Sequence, residues 1–291
     1  MKTILEIKKL TKYYGKTLAV KDLTLKLDEG EIFGLIGPNG AGKSTTIRSI
    51  MNLINKTEGT ILINGKEFNK NDIEIKKIIG YLPSEINLYD DYKVKEILDY
   101  HETFYKENLK KRRKELVELL KIDENKYIED LSLGNLKKLG IVLALMHNPK
   151  ILILDEPTSG LDPIMQNVFY DILLKEKSKG TTILYSTHVL SEISKICDRV
   201  GIIKEGKLLK VSTIKELNEK HLTYVTLEIE KDIEQLIEEL NIEPIYIDKN
   251  TIKFKNYLNP NELIKKISKY ELKKILIEEA TLEDIFINYY E

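Results

Sequence analysis

The 291-residue sequence contains no tryptophan, a single cysteine and only seven prolines. Cys197 has no second cysteine to pair with, so the chain cannot form an internal disulfide. The sequence does not start with a basic segment followed by an apolar one, as a secretory signal does. Its longest apolar runs, at residues 141–146 and 151–154, are far shorter than the roughly 20 residues that span a bilayer. These absences favour a cytoplasmic protein, and if it acts at a membrane, another chain must cross it.

A strong excess of either charge is absent as well. Lysine and arginine number 46, aspartate and glutamate number 47, and the pI is about 6.5. Without an overall basic field, binding to nucleic acid is not expected. What the sequence does contain is 42% hydrophobic and 32% charged residues, which is typical of a globular protein with a charged surface. Its length suffices for one large domain and one small domain.

The most informative stretch is a glycine-rich segment between a predicted strand and a predicted helix. Residues 32–36 are apolar apart from Gly34 and predict a buried strand, while apolar residues recur at helical spacing from Lys43 onward. Between them stands the pattern GxxxxGK[ST], which in this context predicts a phosphate-binding loop. The residues of this pattern, with the threonine that follows it, are Gly37, Pro38, Asn39, Gly40, Ala41, Gly42, Lys43, Ser44 and Thr45.

Each part of this loop has a physical role in holding a nucleotide. Glycines let successive backbone N–H groups point at one anion, and the start of the helix adds the positive end of its dipole. We expect Lys43 to reach the β- and γ-phosphates and the Ser44 hydroxyl to bind Mg²⁺. Thr45, one residue further into the helix, is expected to support the α-phosphate side.

Acidic and histidine side chains follow two further predicted strands. Residues 151–154 are all apolar, as in a strand buried in a parallel sheet, and Asp155 and Glu156 come directly after them. Ligands bind at this end of the strands in open α/β sheets. Asp155 is expected to order the Mg²⁺ shell, and Glu156 to polarise the attacking water. A second buried strand, at residues 181–186, leads to His188, whereas the other three histidines are interpreted as structural or solvent-facing.

Other segments leave alternatives open. Tyr13 or Tyr14, upstream of the loop, is placed either to stack on adenine or to cap the core. Ser132 and Gly134 come just before a predicted helix, where such residues bind an anion or simply cap the helix. The basic cluster at residues 110–114 fits either a solvated helix face or a contact with anionic lipid or a partner.

Beyond residue 220 the glycine motifs end and the pattern changes. Residues 223–290 predict strand, helix, strand, strand, helix, strand and helix, an order typical of a small α+β module of split βαβ type. We expect residues 1–219 to form the nucleotide-binding domain and residues 220–291 an accessory domain. The module contains no motif with evident chemistry, and its role is either that of a sensor or that of a stabilising or dimer-contacting appendage.

Six motifs, in their order along the chain, resemble the nucleotide-binding subunit of an ATP-binding cassette (ABC) transporter. The resemblance covers residues 1–217, and the C-terminal module is similar to extensions of cassettes that serve drug or antibiotic exporters. It implies an α/β fold of the P-loop NTPase cassette type, in which a mixed sheet core carries an antiparallel β-subdomain and a helical subdomain at about residues 84–150. Residues 37–45 match Walker A, and Asp155 with Glu156 matches Walker B and its catalytic glutamate.

The resemblance also implies roles for residues outside these two motifs. Tyr14 matches the adenine-stacking aromatic residue, and His188 matches the switch histidine at the γ-phosphate. Ser132 and Gly134 belong to LSLGN, which is similar to the family's signature LSGGQ and implies contact with the ATP of a second cassette. Ser159 to Asp162 match the family's D-loop.

One position of the metal site departs from the family's pattern. Ser84 stands where a glutamine is usual after the third strand of the sheet. The Mg²⁺ site implied by Ser44 and Asp155 is therefore completed either by Ser84 through a water molecule or by Glu85 in its place.

The function that the resemblance implies is ATP hydrolysis with Mg²⁺. Two cassettes, identical or paralogous, would sandwich two ATP molecules and drive a separate integral membrane permease, as in an exporter. The permease would dock between the loop at Ser84 and the charged helical region at residues 92–121, which places the protein on the cytoplasmic face of the membrane. A second hypothesis is a cassette ATPase without a permease that serves ribosomes, DNA or cofactor assembly. Such proteins usually carry tandem cassettes or a long coiled coil, and neither is present in this sequence.

Overall fold

The computed structural model describes residues 2–218, 223–229 and 233–279. The chain divides into two compact units, Met1–Ser212 and Thr213–Glu291. The helix predicted for residues 281–290, and His221, lie outside the described residues. Within the described part, no helix combines the length and the apolar composition that crossing a membrane requires.

Strands and helices follow one another along most of the first unit. Its strands are β1 (Thr3–Tyr14), β2 (Thr17–Asp28), β3 (Ile32–Ile36), β4 (Glu58–Ile63), β5 (Lys66–Glu67), β6 (Ile79–Leu82), β7 (Ile151–Asp155), β8 (Thr182–Thr187), β9 (Arg199–Lys204) and β10 (Lys207–Thr213). Its helices are α1 (Lys43–Ile50), α2 (Ile73–Lys77), α3 (Val94–Glu102), α4 (Lys110–Leu120), α5 (Leu133–Leu145), α6 (Pro163–Ser178) and α7 (Leu190–Ile196).

A six-stranded sheet forms the centre of this unit, in the order β10-β9-β3-β8-β7-β6. Strands β9, β3, β8, β7 and β6 are parallel, and every residue of β3 and β7 is buried. Such burial is expected where helices cover both faces of a parallel sheet. Because the carboxyl ends of β3, β7 and β8 lie at one edge, the phosphate loop, the acidic pair and His188 come together there.

A second sheet is antiparallel and has the order β2-β1-β4-β5, which is the β-subdomain that the resemblance implied. Alternation of apolar and polar residues predicts strands at residues 3–9 and 23–27, and β1 and β2 extend well beyond these segments. The pairing of β1 with β2 shifts register next to Lys9 and Asp22, and both residues have positive φ. These bulges break the two-residue alternation, so the sequence pattern ends earlier than the strands do.

The charged helical region at residues 92–121 forms two helices, α3 and α4. Between them, the side chain of Asn108 accepts a hydrogen bond from the backbone N–H of Lys110 at 3.0 Å. Bonds of this local kind compete with the helical pattern and favour a new helix start.

Two members of the basic cluster at residues 110–114 are buried. Arg112 contacts Glu176 of α6 at 2.6 Å, and Nε of Arg113 contacts Glu124 at 2.7 Å. These two arginines therefore lie neither on a solvated helix face nor on a surface that could contact anionic lipid or a partner. Carboxylates of neighbouring segments offset the cost of burying their charges.

The second unit contains α8 (Ile214–Asn218), β11 (Thr223–Ile229), α9 (Ile233–Leu240), β12 (Pro244–Asp248), β13 (Thr251–Asn256), α10 (Pro260–Ile267) and β14 (Leu272–Glu279). Its antiparallel sheet has the order β12-β13-β11-β14. The sheet and the helices α9 and α10 share a core of Val225, Leu227, Ile252, Phe254, Leu236, Leu263 and Ile267. This is the split βαβ arrangement that the sequence predicts.

Candidate nucleotide-binding site

The phosphate loop connects β3 to α1, and its curl depends on glycine. Gly40 and Gly42 have φ values of 81° and 105°, a region that favours glycine. Gly37 and Gly42 are also held by close packing, since a Cβ at Gly37 would lie 2.3 Å from the carbonyl oxygen of Ile203. A Cβ at Gly42 would lie 2.7 Å from the carbonyl oxygen of Ala19. The loop is therefore seated tightly against the backbone of β9 and β2.

Lys43 begins α1, and only 5% of its surface is exposed. Its ammonium group donates to the carbonyl oxygen of Gly37 at 2.8 Å and to that of Pro38 at 3.3 Å. The same group lies 3.4 Å from Oε1 of Glu156. The positive charge is thus held inside the curl of the loop, where an anion bound by the loop amides would meet it.

Glu156 has a backbone conformation that is unusual for a residue with a side chain. Its φ of 48° is left-handed, a conformation that costs a non-glycine residue roughly 1–2 kcal/mol and is often found at functional sites. Its carboxylate faces two basic side chains. Oε1 lies 3.4 Å from the Lys43 ammonium, and Oε2 lies 2.9 Å from Nδ1 of the His188 ring. Asp155 is buried and accepts a hydrogen bond from the Ser186 hydroxyl at 3.2 Å.

These residues suit a nucleoside triphosphate and a hard divalent cation. The N-terminus of α1, the loop amides and Lys43 supply positive potential for phosphates. Ser44 offers a hydroxyl oxygen and Asp155 a carboxylate oxygen, and Mg²⁺ prefers such ligands together with phosphate oxygens and water. In the described part of the chain, no three His, Cys, Asp or Glu side chains gather as a metal cluster.

The residues of LSLGN begin helix α5. Ser132 is the N-cap of α5, and its hydroxyl oxygen accepts from the backbone N–H of Asn135 at 3.3 Å. A Cβ at Gly134 would lie 2.6 Å from the carbonyl oxygen of Gly160, so the start of α5 lies directly against the D-loop. Of the two interpretations of Ser132, capping is present within this chain, and contact with an anion stays a prediction.

Asp162 and Tyr14 have different surroundings. Asp162 is the N-cap of α6, and its carboxylate accepts from the backbone N–H of Met165 at 2.9 Å. Tyr14 ends β1 with 46% of its surface exposed, and the Lys12 ammonium lies 4.9 Å from the centre of its ring. An exposed ring in this position is able to stack on a base.

The sequence pattern does not identify Lys137, which lies in α5 and is 2% exposed. Its ammonium donates to three backbone carbonyl oxygens, those of Ser84 at 2.7 Å, Pro83 at 3.4 Å and Glu156 at 3.4 Å. Burial lowers the pKa of Lys137, and the charges of Asp155 and Glu156 oppose that shift. The only indication of its burial in the sequence is that this lysine lies inside a helix that is otherwise largely apolar. Ser84 thus contributes its backbone to the site, and Glu85, beside it, is exposed.

The pattern also misses Glu192 of α7, a buried carboxylate at the same edge. Four hydroxyl groups donate to it, those of Thr158 at 2.5 Å, Tyr170 at 3.3 Å, Tyr185 at 3.0 Å and Thr187 at 2.7 Å. Thr158 comes directly before the D-loop, and Thr187 directly before His188. Glu192 therefore fixes both segments to α7. Burial, together with the negative charge of Glu192, raises the pKa of Tyr185 well above its ordinary value.

A glycine loop after β3 and an acidic pair after β7, in one parallel sheet, define a P-loop protein that hydrolyses nucleotides. The ABC transporter family matches residues 20–159. The chain is 34% identical to the bacitracin transport ATP-binding protein BcrA of Bacillus licheniformis, over 99% of this chain and 97% of that protein. It therefore belongs to the family of ABC transporter ATP-binding proteins.

Solved structures agree with this fold. The structure of an ATP-binding subunit of an ABC transporter has a TM-score of 0.70 and 31% identity, covering 74% of this chain and 92% of that one. The dimeric ABC transporter cassette MJ0796 has a TM-score of 0.66 and 27% identity, covering 72% of this chain and 99% of that one. The expected cassette fold and ATPase activity are thus confirmed at the level of the family.

Proposed function

We propose that this chain hydrolyses ATP with Mg²⁺ to drive a separate membrane permease that exports its cargo. The observation that carries the proposal is the meeting of Lys43, Glu156 and His188 at the phosphate loop. The similarity to a bacitracin transport ATP-binding protein extends over 99% of this chain, and so includes the C-terminal unit. That extent supports transport, and binding to a permease would hold the chain on the cytoplasmic face of the membrane.

The site residues act by position and charge. The terminal phosphate of ATP in the loop attracts Lys43 and His188, which both face Glu156. The phosphate competes with this carboxylate for the Lys43 ammonium and the His188 ring, and Glu156 becomes available to accept a proton from the attacking water. Mg²⁺, held by Ser44 and Asp155, supplies charge neutralisation at the phosphates. Rate enhancement then comes from alignment and preorganised charge.

Two copies, or one copy and a paralogue, are proposed to complete each other's sites. The start of α5 presents Ser132 and the backbone N–H groups of the first helical turn, which suit a phosphate from another cassette. Leu133, between Ser132 and Gly134, is 67% exposed. The solved dimer of a related cassette supports this pairing.

The surface around Ser84 and α3 is proposed to bind the permease. Four aromatic rings there are largely exposed, namely Tyr89 at 74%, Tyr92 at 50%, Tyr100 at 63% and Phe104 at 54%. Aromatic side chains are enriched in protein interfaces. Two of these rings, Tyr89 and Tyr92, follow Ser84 closely along the chain.

The substitution Glu156→Gln tests the catalytic assignment. Glutamine keeps the shape of the side chain but cannot accept the proton, so hydrolysis should fall by about 10³-fold while ATP is still bound. We expect the variant to accumulate as a dimer in ATP, which sedimentation velocity measures. Glu129→Gln, at an exposed acid outside the site, is the matched control. A Glu156→Gln chain that stays monomeric in ATP and hydrolyses at the parental rate would contradict the proposal.

The partner requires a separate experiment. The tagged chain should be recovered from membranes together with a strongly hydrophobic subunit, which mass spectrometry identifies. Recovery with ribosomes or nucleic acid, and with no membrane subunit, would favour the hypothesis of an ATPase without a permease.

A further inference from the structure

Lys137 is a buried lysine that has no carboxylate at hydrogen-bond distance among the residues that the structure describes. It is 2% exposed, and its three acceptors are uncharged carbonyl oxygens. Lysine is seldom this deeply buried unless it is paired, because desolvation of an ammonium group is costly. Arg112, which is also buried, has Glu176 at 2.6 Å. Lys137 therefore differs from the ion pairs that hold the helices of this unit together.

The acceptors of Lys137 belong to two segments outside its own helix. Pro83 and Ser84 follow β6, and Glu156 follows β7. Lys137 itself lies in α5, whose N-cap is Ser132. One ammonium group thus connects the loop at Ser84, the helix that begins at LSLGN, and the carboxylate-bearing loop.

Lys137 contacts Glu156 through the backbone carbonyl of Glu156, whose φ is strained. Glu156 has a left-handed φ, and its carbonyl oxygen lies 3.4 Å from the Lys137 ammonium and 3.4 Å from the backbone nitrogen of Ser159. The backbone N–H of Glu156 donates to the carbonyl oxygen of Ser186 at 3.0 Å. A strained conformation persists only when its surroundings hold it. Of these three partners of the Glu156 backbone, Lys137 is the one that carries a charge.

We propose that Lys137 is a positioning residue for ATP hydrolysis, through which the Ser84 loop and helix α5 set the position of the Glu156 carboxylate. The inference rests on the catalytic role of Glu156 under the proposed function. A displacement of the Ser84 loop reaches Glu156 through the shared ammonium group and two backbone carbonyls. The loop can therefore act on Glu156 through its main chain, whatever the Ser84 side chain contributes.

The test compares Lys137→Met, Lys137→Arg and the matched control Lys138→Met in the full-length chain. Lys138 is the next residue of α5 and is only partly buried. We expect Lys137→Met to lower kcat by at least about tenfold, since small misplacements of a catalytic group have effects of this size. KM for ATP should change less than about threefold, because the nucleotide-binding groups lie in other segments. Lys137→Arg, which keeps charge and donors, should restore most of kcat, and Lys138→Met should keep the parental value.

Thermal melting of each variant separates this role from a loss of folding. If Lys137→Met does not fold, Lys137→Gln, which keeps a donor without the charge, takes its place in the same assay. A parental kcat, or a raised KM with unchanged kcat, would overturn the inference. An equal decrease in Lys138→Met, or a failure of Lys137→Arg to restore kcat in a folded protein, would overturn it as well.

Glu156→Gln, assayed beside these variants, tests the catalytic role of Glu156 separately from the positioning role of Lys137. If Glu156→Gln hydrolyses ATP at the parental rate, the catalytic assignment itself fails. If Glu156→Gln is inactive and Lys137→Met has the parental kcat, only the role of Lys137 fails.

Discussion

Buried cations occur in two regions of the first unit, and they differ in their partners. In the helical region, Arg112 and Arg113 contact carboxylates at 2.6 and 2.7 Å. At the carboxyl edge of the sheet, Lys43 and Lys137 have backbone carbonyl oxygens as their nearest acceptors, at 2.8 and 2.7 Å. Glu156, 3.4 Å from Lys43, is the carboxylate nearest to either lysine among the described contacts.

The difference separates two uses of a buried positive charge. A carboxylate neutralises a guanidinium group, so the pair contributes to packing and leaves little potential outside. A carbonyl oxygen supplies a hydrogen bond but leaves the net charge in place, where it attracts an anion. We therefore expect substitutions in the helical region to change stability, and substitutions at the sheet edge to change hydrolysis.

The largest effect on stability is expected for Arg112→Met. This change leaves the Glu176 side chain, which is 2% exposed, with the Lys179 ammonium at 2.7 Å as its remaining cationic partner among the described contacts. A buried charge that loses its main partner destabilises a protein by about 3 kcal/mol or more. Urea unfolding measures the loss, and hydrolysis per folded molecule should stay at the parental value.

The double variant Arg112→Met/Glu176→Met sharpens this prediction. With both charges removed, no buried carboxylate is left unpaired, and much of the lost stability should return. If the single variant already has parental stability, or loses hydrolysis while folded, the distinction between the two regions is wrong.

The sequence predicts the parts of the site that are local. Residues 37–45, Asp155 and Glu156 follow directly from buried strands, so short spacing and strand-end chemistry suffice to find them. Lys137 is 53 residues from its nearest acceptor, Ser84, and no spacing rule connects the two. Its partners are decided by the order of strands in the sheet, which composition and periodicity do not give.

The burial of Arg112 is indicated in the sequence, but only by the spacing of residues along α4. Arg112, Leu116 and Leu120 are spaced four residues apart and lie on one face of α4, and all three are buried. Five adjacent basic residues suggest a solvated surface more strongly than this spacing suggests burial. Glu176, which makes the burial of Arg112 tolerable, lies 64 residues away.

A smaller loss of stability is expected at acid pH, and it comes from the partly buried ring of His101. Burial lowers the pKa of His101 to about 4, and the charge of His147 adds to this shift. Since the unfolded chain takes up the proton near pH 6.5, stability should be lost as pH falls from about 6.5 toward 4, by about 2 kcal/mol at pH 5. Urea unfolding at pH 7.5 and pH 5 measures this loss.

His101→Phe is the control for this pH dependence. The ring of His101 faces Tyr105 and His147, with ring centres 5.3 and 5.8 Å apart, so an aromatic replacement keeps the packing. The variant should lose less stability than the parent between pH 7.5 and pH 5. An unchanged loss would assign the acid sensitivity to another group.

The smallest effect is expected for Lys114→Met, in the same basic cluster as Arg112. The Lys114 side chain is 77% exposed, and its ammonium lies 3.9 Å from Glu118 one helical turn away. Exposed pairs of this kind contribute less than about 0.5 kcal/mol, because water and salt screen them. Urea unfolding should give a free energy within that margin of the parent, and hydrolysis should be unchanged. Since Lys114 and Arg112 are two residues apart in one helix, a loss as large as that of Arg112→Met would mean that burial against Glu176 is not what distinguishes them.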